Sequence, residues 1–120
     1  MTCYLEDDLD EDRLIRLAGT QGHTLISPRA VGYFGTHDAL HFLYAAVRAI
    51  PIMTRNAGDF HALHRFALGV GGHHSGLIVV YEEANRRKNM RAEQILRALT
   101  NLESAKVPLA DQLIGLNQYR

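Results

Sequence analysis

Acidic side chains are the first residues in this chain that suggest chemistry. The opening YLEDDLDED places Glu6, Asp7, Asp8, Asp10, Glu11 and Asp12 within twelve residues, and two isolated acids, Asp38 and Asp59, stand where the pattern opens helices. Carboxylates gathered within ~5 Å raise one another's pKa and repel, unless a divalent cation sits among them. Hard oxygen donors suit Mg²⁺ or Mn²⁺, and such an ion polarises a phosphoryl oxygen and acidifies a water for in-line attack on a phosphodiester. Each acid also has a structural use. Asp10 to Asp12 read as a solvated helix start favoured by the helix dipole, Asp38 as a first-turn acid, and Asp59 as an N-cap for a helix beginning at Phe60.

Seven histidines are many for 120 residues. His37 and His41 lie four apart on one expected helix and His61 and His64 three apart on another, spacings that suit Zn²⁺ or a general base, although no HExxH pattern accompanies them. His73 and His74 fall in the glycine-rich GVGGHHSG. Arg86, Arg87, Lys88 and Arg91 form a basic patch, and Arg55 lies next to the presumed acidic cleft, so these cations are the candidates for contact with a substrate's phosphates. Tyr33 and Phe34 could stack an unpaired base or fill space over the sheet edge.

These residues need a scaffold. A chain of 120 residues with 47% hydrophobic and 22% charged residues allows one globular domain, and no apolar run approaches the ~20 residues of a membrane helix. The start lacks a basic, apolar leader pattern, so the expected location is cytoplasmic. Thirteen basic and thirteen acidic residues cancel, but the acids crowd the N-terminus, and the remaining 108 residues carry seven acids against thirteen bases. A single cysteine, Cys3, rules out an internal disulfide and a multi-thiolate zinc site.

Residues 3–5, 23–26, 52–54 and the β-branched LIVVY of 77–81 read as strands. Helices are expected over 10–18 with Gly22 beyond its end, from Thr36 as N-cap to Pro51, over 60–68, and over 91–104. The second of these carries Ala39, Leu43, Ala46, Val47 and Ile50 as its apolar stripe. Residues 27–36 read as loop. Alternating strands and helices predict an α/β fold with a short, mostly parallel central sheet flanked by helices, and ligands in such sheets bind beyond the carboxyl ends of the strands. The last sixteen residues, AKVPLADQLIGLNQYR, are too apolar for a disordered tail. The expectation is a domain over 1–104 and an extension over 105–120 that docks on it or on a second copy.

The ordered set of pieces resembles the PIN-like domain family. DALHFLYAAVRAIPIMTRNAGDF resembles its signature of an Asp opening an Ala-rich helix, then a strand ending in a Thr-Arg-Asp type motif and Asp-Phe. YLEDDL followed by a helix and GHTLISP is similar to the acidic start of the small PIN-like proteins, and GGHHSGLIVV to the family's Gly-Val-Ile-Leu strand. The likeness covers roughly residues 3–104. It implies a three-layer PIN-like fold and a Mg²⁺- or Mn²⁺-dependent ribonuclease, of the kind that in bacteria is often a toxin held by an antitoxin, and commonly a homodimer.

Carried over residue by residue, the first acid falls on Glu6, with Asp7 and Asp8 following; a one-residue slip promotes Asp7. The helix-opening acid matches Asp38, the Asp of Asp-Phe matches Asp59, and Thr54 matches a Thr whose hydroxyl can orient a carboxylate or water. The chain departs from the pattern at Asn56, where the motif has Asp, and in a loop to Asp59 that is one residue longer. The expected catalytic set is therefore Asp7, Asp38, Asp59, Thr54 and Asn56. The expected metal ligands are Glu6, Asp7, Asp8, Asp38 and Asp59, and the expected substrate contacts Arg55, Arg86, Arg87 and Lys88. Asn56 supports an alternative, a non-catalytic binding module with a degenerate acidic pocket. A histidine-based metallohydrolase is the third reading, and PLADQLIGL is the expected dimer contact.

Overall fold

The computed structural model describes residues 1–120. Five strands, β1 (Thr2–Leu5), β2 (Thr24–Ile26), β3 (Ile52–Thr54), β4 (Leu77–Val79) and β5 (Leu113–Gly115), form one sheet in the order β2-β1-β3-β4-β5. Every pairing is parallel. The helices are α1 (Asp12–Thr20), α2 (Pro28–Val31), α3 (Asp38–Val47), α4 (Ala57–Gly69) and α5 (Ala92–Ser104). The predicted α/β class and flanked parallel sheet are the observed ones. None of the helices is long and apolar enough to cross a membrane.

Parallel strands covered on both faces need apolar side chains on both, and β3 and β4 are buried at every position. On one face Cys3, Leu5, Met53 and Ile78 meet Leu14 and Ala18 of α1 and Ile95, Leu96, Leu99 and Leu102 of α5. On the other, Tyr4, Ile52, Leu77 and Val79 meet Phe42 and Ala45 of α3 and Phe60 of α4. Cys3 is fully buried, and burial pushes its thiol up to about 12.

Several expected boundaries shift. Helix α4 starts at Ala57, three residues before Phe60, so Asp59 lies in its first turn and Asn56 takes the N-cap position. Thr36 does not cap α3: its hydroxyl donates to the Tyr33 carbonyl, and the helix opens after His37. The expected loop of 27–36 holds the one-turn α2, started by Pro28 and by Ser27 Oγ accepting from the Ala30 amide. Asp10 is not a solvated helix start. Its carboxylate accepts from Ser27 Oγ at 2.7 Å and pairs with Arg29 at 3.2 Å, tying the chain after β2 to the chain after β1.

The stripe expected on α3 faces outward. Phe42, Ala45 and His41 point at the sheet, while Leu43 is exposed and Val47 is 71% exposed. Helix α3 is apolar on two faces, and hydrophobicity alone favours the wrong one because the inward face includes a histidine. The aromatic pair and the C-terminal segment also depart from expectation. Tyr33 packs edge-on against Tyr44 and Phe34 lies under the Arg29 guanidinium, so neither is a free stacking platform. Residues 105–120 dock on the chain's own body: 113–115 complete the sheet beside β4, and Leu116 is fully buried against the α1–α5 face. Within PLADQLIGL, Ile114 and Leu116 are covered by the chain's own core.

Gly76 shows how closely this edge is packed. Its φ is +131°, and a Cβ there would lie 3.1 Å from Leu109 and 3.3 Å from Pro51. If the C-terminal segment is part of the core, Leu116→Ala is expected to lower unfolding free energy by about 2–5 kcal/mol, read as a fall in the urea midpoint at constant slope. A change below about 0.5 kcal/mol would show that 105–120 is an appendage.

Candidate functional site

The carboxyl ends of β1 and β3 lie side by side, and the chain leaves β1 toward one edge of the sheet before returning to build the other from β3. This is the switch point at which open α/β sheets form a crevice. Four local features deliver side chains to it. A 3-10 turn over Asp7–Leu9 follows β1, with Glu6 as its N-cap. Helix α3 begins at Asp38. Strand β3 ends at Thr54, and α4 brings Asp59 in its first turn.

Asn56 links two of the acids. Its Nδ2 donates to Asp38 Oδ2 and to Asp59 Oδ2, both at 3.0 Å, which is the amide orientation that pairs donors with acceptors. Asp38 is raised above the ordinary carboxylate range by burial and by the charge of Asp59, partly offset by a hydrogen bond with Glu6. Glu6 is buried, and burial together with Asp8 and Asp38 raises its carboxyl from 4.5 to about 8. At neutral pH Glu6 thus keeps its proton. The set grades outward from buried Glu6 through half-buried Asp38 to exposed Asp59, which borders an open groove of about 470 Å³ between α3 and α4.

The neighbouring acids turn away from Asp38. Successive residues in a 3-10 turn project about 120° apart, so Glu6, Asp7 and Asp8 take three directions. Asp8 accepts the Arg55 amide at 3.1 and 3.2 Å. Asp7 Oδ2 accepts the Gly35 amide at 2.9 Å. Its Oδ1 is buried without a hydrogen-bond partner, although His41 Nε2 is 3.1 Å away. Glu6, Asp7 and His41 each offer an atom within 4.8 Å of the others. The register left open in the sequence is resolved for the Asp38 contact in favour of Glu6; Asp7 faces His41. Thr54 is buried, and its hydroxyl accepts the Asn56 amide at 2.9 Å rather than orienting a carboxylate.

Sequence reasoning misses the pairing of Tyr4 with His41. The Tyr4 phenol contacts His41 Nδ1 at 2.7 Å, and burial and Asp7 hold the phenol well above its ordinary pKa. With the phenol donating, His41 carries its proton on Nε2, toward Asp7. The apolar residues Phe42 and Ala45 beside His41 are the available signal of an inward face, but an i, i+4 histidine pair reads first as two ligands. In the fold His37 is exposed and His41 buried.

The other histidine pair also separates. His61 contacts the Tyr81 hydroxyl at 2.7 Å, and His64 Nδ1 meets His74 Nε2 at 2.8 Å. The Gly76 amide donates to His74 Nδ1, so the neutral His74 donates from Nε2 to His64. Burial lowers both rings' pKa, and His73 pairs with Asp111 at 2.9 Å. These contacts brace the 70–76 loop.

Of the expected basic contacts, Arg55 and Arg86 line a cleft of about 350 Å³ with Arg13 and Arg91. Arg87 and Lys88 are exposed and lie outside it. Compared with models of known protein families, with curated proteins and with solved structures, the chain finds no match.

The two titration sets act oppositely. Glu6 binds its proton more tightly folded than unfolded, so its contribution is present below about 4.5 and is lost as pH rises toward about 8. His64 and His74 bind protons less tightly folded, so their contribution is present above 6.5 and is lost as pH falls through the lowered folded values. In metal-free buffer, Glu6→Gln is expected to remove the alkaline decline of the melting temperature between pH 5 and 8 while leaving the acid limb. An unchanged alkaline limb would mean that Glu6 is not the titrating group.

Proposed function

We propose that the chain is a divalent-metal-dependent endoribonuclease of PIN-like type that hydrolyses RNA phosphodiesters. The observation carrying this reading is a linked series of acids at the carboxyl edge of a parallel sheet: Glu6 hydrogen-bonds Asp38, Asn56 donates to Asp38 and Asp59, and Glu6 also stands with Asp7 and His41, each offering an atom within 4.8 Å of the others. The donors fit Mg²⁺ or Mn²⁺: all are oxygens, and burial together with neighbouring carboxylates raises the pKa of Glu6 and Asp38. Glu6, Asp38 and Asp59 would hold the ion, with Asp7 beside it. A bound ion of this kind supplies Lewis-acid polarisation of the phosphoryl oxygen and an acidified water.

The chain's own residues set the stage for that chemistry. Glu6 gives up its proton when the cation replaces it. Asn56, itself held by Thr54, fixes the separation of Asp38 and Asp59. Asp59 faces solvent, where a strand of RNA has access. Arg55, next to Asn56 in the chain and anchored at its amide by Asp8, offsets phosphate charge.

Partners in this reading are RNA and, for a toxin, an antitoxin protein; a homodimer is the other assembly. Support for a protein contact comes from exposed Leu43 and Val47 of α3, Phe66 of α4 and Val70 just beyond its end. The alternative, a non-catalytic binding module, is favoured by Asn56, which supplies no negative charge.

Two measurements decide between them. Mn²⁺ titration calorimetry is expected to show binding with release of about one proton near pH 7, its apparent affinity rising about tenfold per pH unit below the Glu6 pKa of about 8. No binding at millimolar Mn²⁺ would favour the module. Asp38→Asn with Asp59→Asn is expected to abolish cleavage of RNA, at least about 10²-fold, with the fold retained. Cleavage that survives both changes would reject the ribonuclease assignment.

A further inference from the structure

Beside the acidic cluster, one strand along the sheet, lies its electrostatic opposite. The cleft of about 350 Å³ at the ends of β3 and β4 is lined by Arg13, Arg55, Arg86 and Arg91, against Glu11 and Glu82. Arg13 pairs with Glu93, and Arg55 approaches Glu11 at 3.9 Å. Arg86 and Arg91 pair with no carboxylate. Four guanidiniums against two carboxylates give the cleft a positive excess that attracts an anion, and planar forks of N–H donors match phosphate oxygens.

Helix α5 strengthens the same field. It runs for 13 residues and starts at Ala92, in the cleft wall, so its positive dipole end opens there. The Gln94 side chain takes up the Arg91 amide at 2.9 Å. Arg55 joins the two sites, because its amide is bound by Asp8 from the acidic turn while its residue lines the cleft. No unengaged aromatic lines the cleft, since the Tyr81 hydroxyl is held by His61 and its ring lies against Gly115.

We propose that this cleft is a phosphate subsite that grips the RNA backbone beside the acidic turn to which Arg55 ties it, with Arg86 and Arg91 as its main contacts. The proposal rests on the ribonuclease reading for the identity of the strand. It makes the cleft a reader of charge and spacing, indifferent to base.

The test separates gripping from cleavage. The Asp38→Asn/Asp59→Asn chain, in EDTA, is titrated with a fluorescent eight-nucleotide single-stranded RNA at several salt concentrations. Adding Arg86→Gln and Arg91→Gln is expected to weaken binding about tenfold at low salt and to reduce the slope of log K against log salt by about 0.7 for each phosphate no longer neutralised. Arg16→Gln with Arg65→Gln, which removes the same charge from positions outside the cleft, is expected to leave the slope unchanged. Equal weakening by the two pairs, or none by the first, would overturn the subsite. Should the wild type cleave no RNA while the cleft pair still lowers the slope, the subsite stands and the ribonuclease reading falls.

Discussion

Burial of Glu6 and Asp38 beside the charge of Asp59 is the constraint around which this carboxyl edge is organised. Parallel strands must all end on the same edge, and the helices that follow must start there, so acids at strand ends and helix starts are forced into company. The fold answers with two devices. Asn56 places a neutral donor between Asp38 and Asp59, and Glu6 retains a proton that an isolated carboxylate would lose.

The surrounding contacts serve to hold that edge in place. Asp8 and Asp10 are used up in anchoring the Arg55 amide and the turn after β2, and Thr54 anchors Asn56. Tyr4 and His41 fill the space beneath with a polar pair inside an otherwise apolar face. A fully apolar replacement would pack as well but would leave Asp7 with no imidazole at its side. The polarity of α3's inner face is therefore tied to the acid turn above it, while the outer faces of α3 and α4 stay apolar.

The parts of the molecule legible in the sequence are those in which one physical demand dominates. LIVVY reads as a covered strand because β-branched runs suit little else, and residues 91–104 read as a helix because Ile95, Leu99 and Leu102 fall on one side. Asp38 and Asp59 are legible from helix-opening positions, although α4 begins earlier than Phe60 suggests. Which of Glu6, Asp7 and Asp8 faces Asp38 is not legible, since the direction of each side chain is set by the turn and not by its chemistry. The strand 113–115 escapes a sequence reading because three residues, one of them glycine, carry no periodicity, and its pairing with β4 is non-local. The basic cleft is half visible: Arg86 and Arg91 are close in sequence, but Arg13 joins them through the packing of α1 against α5.

Cys3 has a consequence outside the site. Its sulfur is sealed in the sheet's α1–α5 face, and its thiol stays protonated far above neutral pH. Thiolate is the species that exchanges with disulfides and reacts with peroxide, so the folded chain is indifferent to the redox poise of its surroundings. The same seclusion leaves no background for maleimide chemistry. A cysteine introduced on either flank of the sheet edge would carry a spectroscopic label alone, turning the native thiol's silence into a clean channel for measuring distances across the molecule.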